Sequence, residues 1–217
     1  MKKEEMLEVI KKVRETAKKR NFKQSFDLCL NFKMLDTKKS ENKIKKEITL
    51  PHGTGRPAVI GIIADTLIPK VNEIKDENVI LIKKNEIEAL RKKKKDAKKL
   101  ANKCKVFLAE APLMPLVAKA LGPILAPRGK MPKPIPPTIP NLTPLIAANT
   151  KVIRIAVKDS PVAHCIVDSE DLDDQKIADN LEAIINGVSS ALPRGKDNIR
   201  NLVLKMTMTK GIRFKVK

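Results

Sequence analysis

The sequence has few of the residues that most often stack on nucleic-acid bases, bind metals or form disulfides. It contains no Trp, no Tyr and only five Phe, which excludes an aromatic stacking platform as the main mode of binding. His52 and His164 are the only histidines, and neither has a second His or a Cys at the usual ligand spacing, so we expect no metal site. The three cysteines are odd in number and more than sixty residues apart, which argues against a disulfide framework and favours a reducing compartment.

Long apolar runs are also missing. Residues 1–20 carry charge on nearly every helical turn and lack the apolar run of a secretory signal. No stretch approaches the ~20 uninterrupted apolar residues of a membrane span. We therefore expect a soluble, cytoplasmic protein.

Positive charge, in contrast, is abundant. The 217 residues include 45 Lys and Arg against 25 Asp and Glu, a formal net charge of +20. Cations set against phosphates release condensed counterions, so this balance predicts a polyanionic partner. Nucleic acid and an anionic membrane surface both fit this prediction.

The two ends of the chain have the patterns of one shared antiparallel domain. Apolar residues at helical spacing predict a first helix, and alternation predicts strands over 25–35 and 44–50 that pair as a hairpin. After residue 150 come two more strands, a helix and a final hairpin over 202–216. Neither end alone buries enough surface for a domain, so we expect residues 1–56 and 150–217 to form one sheet backed by two helices.

The middle of the chain alternates short aliphatic strands with helices. This rhythm predicts a parallel sheet covered on both faces, with one long helix over 86–103. Residues 57–149 should therefore form an inserted Rossmann-like α/β domain, and two chain crossings would permit hinge motion. Ten of the fifteen prolines lie between residues 112 and 144, which we expect to run as an extended, stiff connection.

The sequence offers no convincing catalytic or cofactor site. No glycine-rich phosphate loop follows the first strand of the middle domain, where Asp65-Thr66-Leu67 stands instead. No nucleophile, base and orienting residue form a recognisable set, and the carboxylates around Asp171 are best interpreted as helix capping. We expect neither catalysis nor a bound cofactor.

Two basic segments are candidates for contacts with phosphates. Lys83–Lys105 contains eleven Lys or Arg against three acidic residues, and is either a solvated helix surface or an electrostatic patch. Residues 126–134 place Arg128, Lys130 and Lys133 in a stiff loop, where all three cations are expected to project toward RNA. The alternative for this loop is an ordinary domain edge.

Three motifs in this order resemble the large-subunit ribosomal protein L1 family in its archaeal form. They are Leu50-Pro51-His52-Gly53, Pro127-Arg128-Gly129-Lys130-Met131-Pro132-Lys133-Pro134 and Thr207-Met208. The resemblance covers essentially the whole chain. It implies a two-domain α/β (α+β) protein whose discontinuous first domain binds a helical rRNA element and forms the mobile stalk beside the tRNA exit site.

The resemblance also implies a set of partners. These are large-subunit rRNA, exit-site tRNA, whose release in the deacylated form the stalk assists, and the protein's own mRNA, whose translation it represses. No membrane partner and no obligate protein oligomer are implied. Two alternatives stay open beside this interpretation, a nucleotide-dependent enzyme on a Rossmann-like scaffold and a basic RNA-binding adaptor outside the ribosome.

Carried over position by position, the resemblance implies RNA contacts in the first domain. Phe22 and Met208 would offer an apolar floor for ribose or backbone, although Phe22 could instead be a buried core ring. The hydroxyls of Ser25 and Thr207 would bond 2′-OH groups, which distinguish RNA from DNA. Arg20, Lys23 and Arg200 are expected phosphate partners because of their charge and their proximity in sequence. The full set of expected RNA-binding residues is Arg20, Phe22, Lys23, Ser25, Lys158, Arg200, Asn201, Thr207, Met208 and Thr209.

The sequence departs from the family pattern at two positions. Thr209 stands where a glycine usually follows Thr-Met, and a side chain there is expected to cost RNA contact or shift the turn. Ala126 stands where a glycine commonly precedes Pro-Arg-Gly, and is expected to stiffen that loop.

Overall fold

The computed structural model of the chain describes residues 3–36, 44–74, 77–139, 141–157 and 160–215. The helices in these residues are α1 (Lys3–Thr16), α2 (Ile68–Glu73), α3 (Lys84–Lys92), α4 (Lys94–Lys103), α5 (Met114–Leu125), α6 (Thr143–Thr150) and α7 (Asp174–Ser189). The strands are β1 (Ser25–Phe32), β2 (Lys45–Thr49), β3 (Ile60–Ala64), β4 (Val79–Lys83), β5 (Val106–Glu110), β6 (Lys133–Ile135), β7 (Val152–Ala156), β8 (Val162–Ser169), β9 (Ile199–Met206) and β10 (Ile212–Phe214). None of these helices combines the length and apolar content that crossing a membrane requires.

The chain divides into two compact units. Unit 1 contains Met1–Arg56 and Lys151–Lys217, and unit 2 contains Pro57–Thr150. Unit 1 is therefore discontinuous in sequence, and unit 2 is inserted into it.

Unit 1 is built on a four-stranded antiparallel sheet in the order β10-β9-β1-β8. One face of this sheet is apolar, because Phe26, Leu28 and Leu30 alternate along β1 and are fully buried. This face joins a core to which α1 contributes Ile10 and α7 contributes Ile184. The residues between them in sequence point to the opposite side, which we call the open face.

The predicted hairpin of β1 with β2 is wrong. β1 pairs with β8 and β9, whereas β2 pairs with β7 in a separate two-stranded sheet. The paired strands match in length, since β1, β8 and β9 each have eight residues, while β2 and β7 each have five. The last hairpin, β9 with β10, is confirmed over Ile212–Phe214, and the remainder of that prediction, Val216, lies outside the described residues.

Unit 2 is a three-layer α/β structure. Its sheet has the order β4-β3-β5-β6 with all strands parallel. Ile63 faces a core shared with α3, α4 and α5. Ile62 faces the other core, to which α2 and α6 contribute. The predicted parallel sheet with helices on both sides is confirmed.

The predicted long helix over 86–103 is wrong, because the backbone leaves the helical region at Lys93, with φ −98° and ψ 73°. In a continuous helix, Lys94 and Lys98 would follow Ile87 on the buried face. The break changes the register, so that Ala97 and Ala101 are buried and both lysines are exposed.

The proline-rich segment is not an extended connection, as the pattern had predicted. It contains α5, β6 and the first two residues of α6. Pro115 and Pro144 lie in first helical turns, where a missing N–H leaves no bond unmade, and Pro134 lies in the edge strand β6.

Candidate nucleic-acid interface

Ser25 and Thr207 join the start of β1 to the end of β9. The Ser25 N–H donates to Thr207 Oγ1 at 3.1 Å, and the Thr207 N–H donates to the Ser25 carbonyl at 3.1 Å. Ser25 is buried and Thr207 is half-buried. This pair therefore fixes the geometry of the strand ends, and the Thr207 hydroxyl takes part in that bonding.

Met208 is held outward by the turn that follows. Its φ is +64°, an unfavourable conformation for a residue with a side chain, and its side chain is 73% exposed. Thr209 closes the turn, because its hydroxyl accepts from the Met206 N–H at 2.9 Å and donates to the Met206 carbonyl at 2.9 Å. Thr209 itself lacks a positive φ, so a glycine is not needed at that position to form the turn.

Phe22 and Lys23 lie in the segment that leads into β1. Phe22 is 50% exposed, so its interpretation as a buried core ring is wrong. The Lys23 ammonium donates to Asp171 at 2.7 Å, and this hydrogen bond and the charge of Asp171 raise the pKa of Lys23. The segment is anchored by Arg56, which donates to the Lys23 carbonyl at 2.9 Å.

Asp171 therefore forms an ion pair rather than capping a helix. Asp173 is the residue before α7, but its side chain makes no capping hydrogen bond. Asp174 instead accepts from Arg14 Nε at 2.7 Å, and the other guanidinium nitrogens of Arg14 donate to the carbonyls of Glu170 and Leu172. The helix-capping interpretation of the acidic cluster is thus wrong for most of its members.

Arg200 and Asn201 lie at the other end of β9. Six residues separate Asn201 from Thr207, which corresponds to about 20 Å along a strand. The Asn31 amide donates to Asn201 Oδ1 at 2.6 Å across the sheet. Arg200 is the extra residue of a β-bulge, since Asn31 pairs with Asn201 and Phe32 with Ile199. The expected RNA-binding residues of β9 and of the turn that follows it are thus divided between the two ends of this strand.

The open face connects these two ends. Asn201, Val203, Lys205 and Thr207 alternate along it, and Lys205 lies 4.0 Å from Asp27 on the neighbouring strand. Cys29 is half-buried on the same face, and burial raises the pKa of its thiol. Cys165, in contrast, points into the core, and burial raises its pKa to about 12. Both are therefore neutral thiols.

The basic loop of unit 2 differs from its prediction. Lys130 Nζ donates to the carbonyls of Ala101 and Cys104, both at 2.7 Å, and so caps the end of α4, where burial lowers its pKa. Lys133 donates to Asn149 Oδ1 at 3.0 Å. The expectation that all three cations project is therefore wrong, since only Arg128 is exposed.

Three further positions complete the comparison with the sequence-based predictions. Arg20 is exposed. Lys158 lies outside the described residues. Ala126 has helical angles, with φ −62° and ψ −46°, and the positive φ of this loop is at Gly129. The loop therefore forms without a glycine at position 126.

A buried polar network behind the interface was missed in the sequence. The Asn180 amide donates to Asp168 Oδ2 at 2.7 Å and to the Gly53 carbonyl at 2.8 Å, and its oxygen accepts from the His52 N–H at 3.2 Å. Burial raises the pKa of Asp168. The signal was present, because Asn180 interrupts the apolar stripe of α7 between Ile177 and Ile184.

Known protein families account for this combination of fold and motifs. Residues 13–210 match the model of the ribosomal protein L1p/L10e family. The chain belongs to this family.

Several archaeal relatives resemble it over nearly their whole length. The large ribosomal subunit protein uL1 of Methanothermobacter thermautotrophicus is 40% identical to this chain, over 94% of this chain and 96% of the relative. The protein of the same name in Methanothermococcus thermolithotrophicus is 42% identical to it, over 96% of each chain. The protein of the same name in Thermococcus kodakarensis is 39% identical over 94% of each chain. The relatives are named as ribosomal proteins and not as enzymes, in line with the expectation that the L1 chain is no enzyme.

Unit 2 also has a feature that opposes nucleotide binding. Glu110, at the end of β5, is 2% exposed, and its Oε1 accepts from the N–H groups of Asp65 at 3.0 Å and Leu67 at 2.7 Å. Ligands of open parallel sheets bind at these carboxyl ends of the strands. The carboxylate therefore occupies backbone donors that a phosphate would need. No group of metal-binding side chains is found in the described part of the chain.

Proposed function

We propose that this L1-family chain is a component of the large ribosomal subunit and that unit 1 binds a helical element of rRNA through its open face. The observation that carries the proposal is the placement of the expected contacts. Met208 and Phe22 are exposed at one end of the face, and Arg200 and Asn201 lie at the other. Such an arrangement suits a folded RNA stem better than single bases, because RNA helices are recognised by shape, phosphate and 2′-OH contacts.

Each group has a distinct part in this mechanism. Cations such as Arg20 supply the salt-dependent affinity for phosphates. Met208 and Phe22 pack on ribose and backbone, and the strained turn holds Met208 in place before RNA arrives, which lowers the entropy lost on binding. Lys23 exchanges its Asp171 partner for a phosphate.

The finer functions follow from use of the same surface. We propose that the bound protein forms the mobile stalk beside the exit site and assists the release of deacylated tRNA. We also propose that it represses translation by binding a copy of the rRNA site in its own mRNA. The surface is the same for both RNAs, so an rRNA fragment should relieve repression of a reporter that carries the mRNA site.

The test compares variants of the full chain for affinity to the large-subunit rRNA fragment. Met208→Gly removes an exposed side chain while permitting the positive φ, so folding should be unaffected. We expect a loss of about tenfold, whereas the double variant Lys92→Gln/Lys95→Gln should lose less than about threefold, since it removes only exposed cations of unit 2. Equal losses would reject the site.

Co-sedimentation with large subunits in a sucrose gradient tests the assignment to the ribosome. The protein should remain with the subunits at moderate salt. If anionic vesicles displaced it from the rRNA fragment, the interpretation as a basic adaptor outside the ribosome would be favoured instead.

A further inference from the structure

A pocket of about 270 Å³ opens at the end of the open face where β9 begins. Its lining includes Arg200, Arg213, Asn31, Asn201, Pro161 and Val162. Arg213 comes from β10, where it pairs with Val203, and was not among the residues predicted from the sequence. Two arginines from different strands thus line one pocket, which we call the arginine pocket.

The charge of this pocket is uncompensated. Both arginines are exposed, and neither forms an ion pair or hydrogen bond with any residue that the structure describes. None of the residues lining the pocket is acidic. Lys23, in contrast, pairs with Asp171 at the opposite end of the face. A pocket with two unpaired guanidinium groups is a site for an anion.

The floor of the pocket supplies neutral hydrogen-bonding groups. Asn31 donates to Asn201 Oδ1, which fixes both amides and leaves the Asn201 amide nitrogen without a partner among the described residues. Guanidinium groups match phosphate oxygens in a bidentate manner, and a side-chain amide can bond a ribose hydroxyl. The β-bulge directs Arg200 to this position.

We propose that the arginine pocket binds one phosphodiester group of the RNA together with its adjoining ribose. Arg200 and Arg213 hold the phosphate, and Asn201 bonds the 2′-OH. This inference rests on the proposed function and deepens it, because it makes the pocket a second fixed contact about 20 Å along β9 from Thr207.

The experiment combines protein and RNA substitutions in the full chain. Arg213→Gln is the test variant, and Arg194→Gln is its control, since Arg194 is an exposed arginine of unit 1 whose guanidinium donates to Met34 Sδ at 3.4 Å. Affinity for the large-subunit rRNA fragment is measured against salt concentration. We expect Arg213→Gln to lose about tenfold and the dependence of log K on log salt to fall by about one, with a loss below about twofold for Arg194→Gln. Unchanged thermal unfolding checks that the variant is folded.

Neutral methylphosphonate groups, placed one at a time in the RNA, then identify the phosphate. At one position the neutral group should weaken binding about tenfold for the natural protein and cause no further loss for Arg213→Gln, because both changes remove the same contact. A 2′-deoxy substitution at the adjoining ribose should likewise lose its effect in Asn201→Ala. The inference is overturned if every methylphosphonate has the same effect on variant and natural protein, or if Arg213→Gln and Arg194→Gln lose affinity equally.

The outcome also separates this inference from the proposed function. If Met208→Gly weakens binding and Arg213→Gln behaves like its control, the arginine pocket alone is rejected. If neither variant differs from its control, RNA binding by the open face is rejected as well. A polyglutamate peptide that competes with RNA only when Arg213 is present would support the pocket, whereas peptide binding that depends on Arg213 without any effect on RNA would overturn it.

Discussion

Replacing Asn180 by Ala should destabilise unit 1 by about 3 kcal/mol, because three hydrogen bonds are lost at once. The change leaves Asp168 Oδ2, the Gly53 carbonyl and the His52 N–H without their partner. Each net bond contributes about 1 kcal/mol, and a buried group left unsatisfied costs at least as much. Asn180 and Asp168 are both fully buried, so water cannot easily take the place of the amide.

The destabilisation should depend on pH in a defined direction. Burial raises the pKa of Asp168, and hydrogen bonds from Ser169 and Asn180 lower it. Losing the hydrogen bond from Asn180 raises the pKa of Asp168 further. In the folded variant, Asp168 therefore keeps its proton to a higher pH than it does in the unfolded state. Where the native state binds more protons than the unfolded state, stability falls as pH rises. The variant should therefore lose more stability at about pH 7 than at about pH 4.

Amide hydrogen exchange measures this effect separately in the two units. Opening free energies should fall for amides of β1 and β9 and stay constant for those of β3 and β5. Asn186→Ala is the matched control, because Asn186 is exposed on the same helix, and it should change stability by less than about 0.5 kcal/mol. The reasoning is refuted if both variants cost the same, or if the loss for Asn180→Ala is equal at both pH values.

Two further predictions follow from ion and hydrogen-bond partners. Lys130→Met should lower the free energy of unfolding of unit 2 by about 1–2 kcal/mol, and with it the midpoint of thermal unfolding, because the Lys130 ammonium caps α4. Its affinity for RNA should not change. A loss of RNA affinity with unchanged stability would contradict this role. Asp171→Asn should strengthen RNA binding about two- to fivefold at low salt, because it frees Lys23 from its ion pair. Asp173→Asn removes an equal charge beside Lys176 and should have a smaller effect. Equal effects would indicate that the change in net charge alone strengthens binding.

Local patterns in the sequence predicted the elements well and their partners poorly. Alternation of Phe26, Leu28 and Leu30 identifies β1 as a strand with one buried face, since the period of two is a local property. It carries no information on the neighbour of β1, which is decided by β8 and β9 more than 100 residues away. The break at Lys93 was not readable, because Ile87, Leu90, Ala97 and Ala101 would lie within about 80° of one another on a continuous helix.

In the candidate site, too, local patterns predicted some residues, and features that depend on distant contacts were missed. Phe22 and Met208 were found through the family motif, and the exposure of both fits that prediction. Lys130 was wrongly predicted to project, because a long flexible side chain can turn back to backbone carbonyls and no local pattern records its direction. Arg213 was missed because it joins the arginine pocket only through the pairing of β10 with β9.

The turn at residues 206–209 links the departure from the family pattern to the preparation of the surface. A positive φ at Met208 costs about 1–2 kcal/mol relative to the right-handed region. The Thr209 hydroxyl offsets this cost through two hydrogen bonds to the Met206 backbone, and Thr207 adds the pairing with Ser25. A glycine at position 209 would provide neither hydroxyl bond, so the threonine stabilises the strained turn instead of obstructing it. Met208 is consequently held outward in the free protein. The entropy of ordering this turn is lost during folding, so that less entropy is lost when RNA binds.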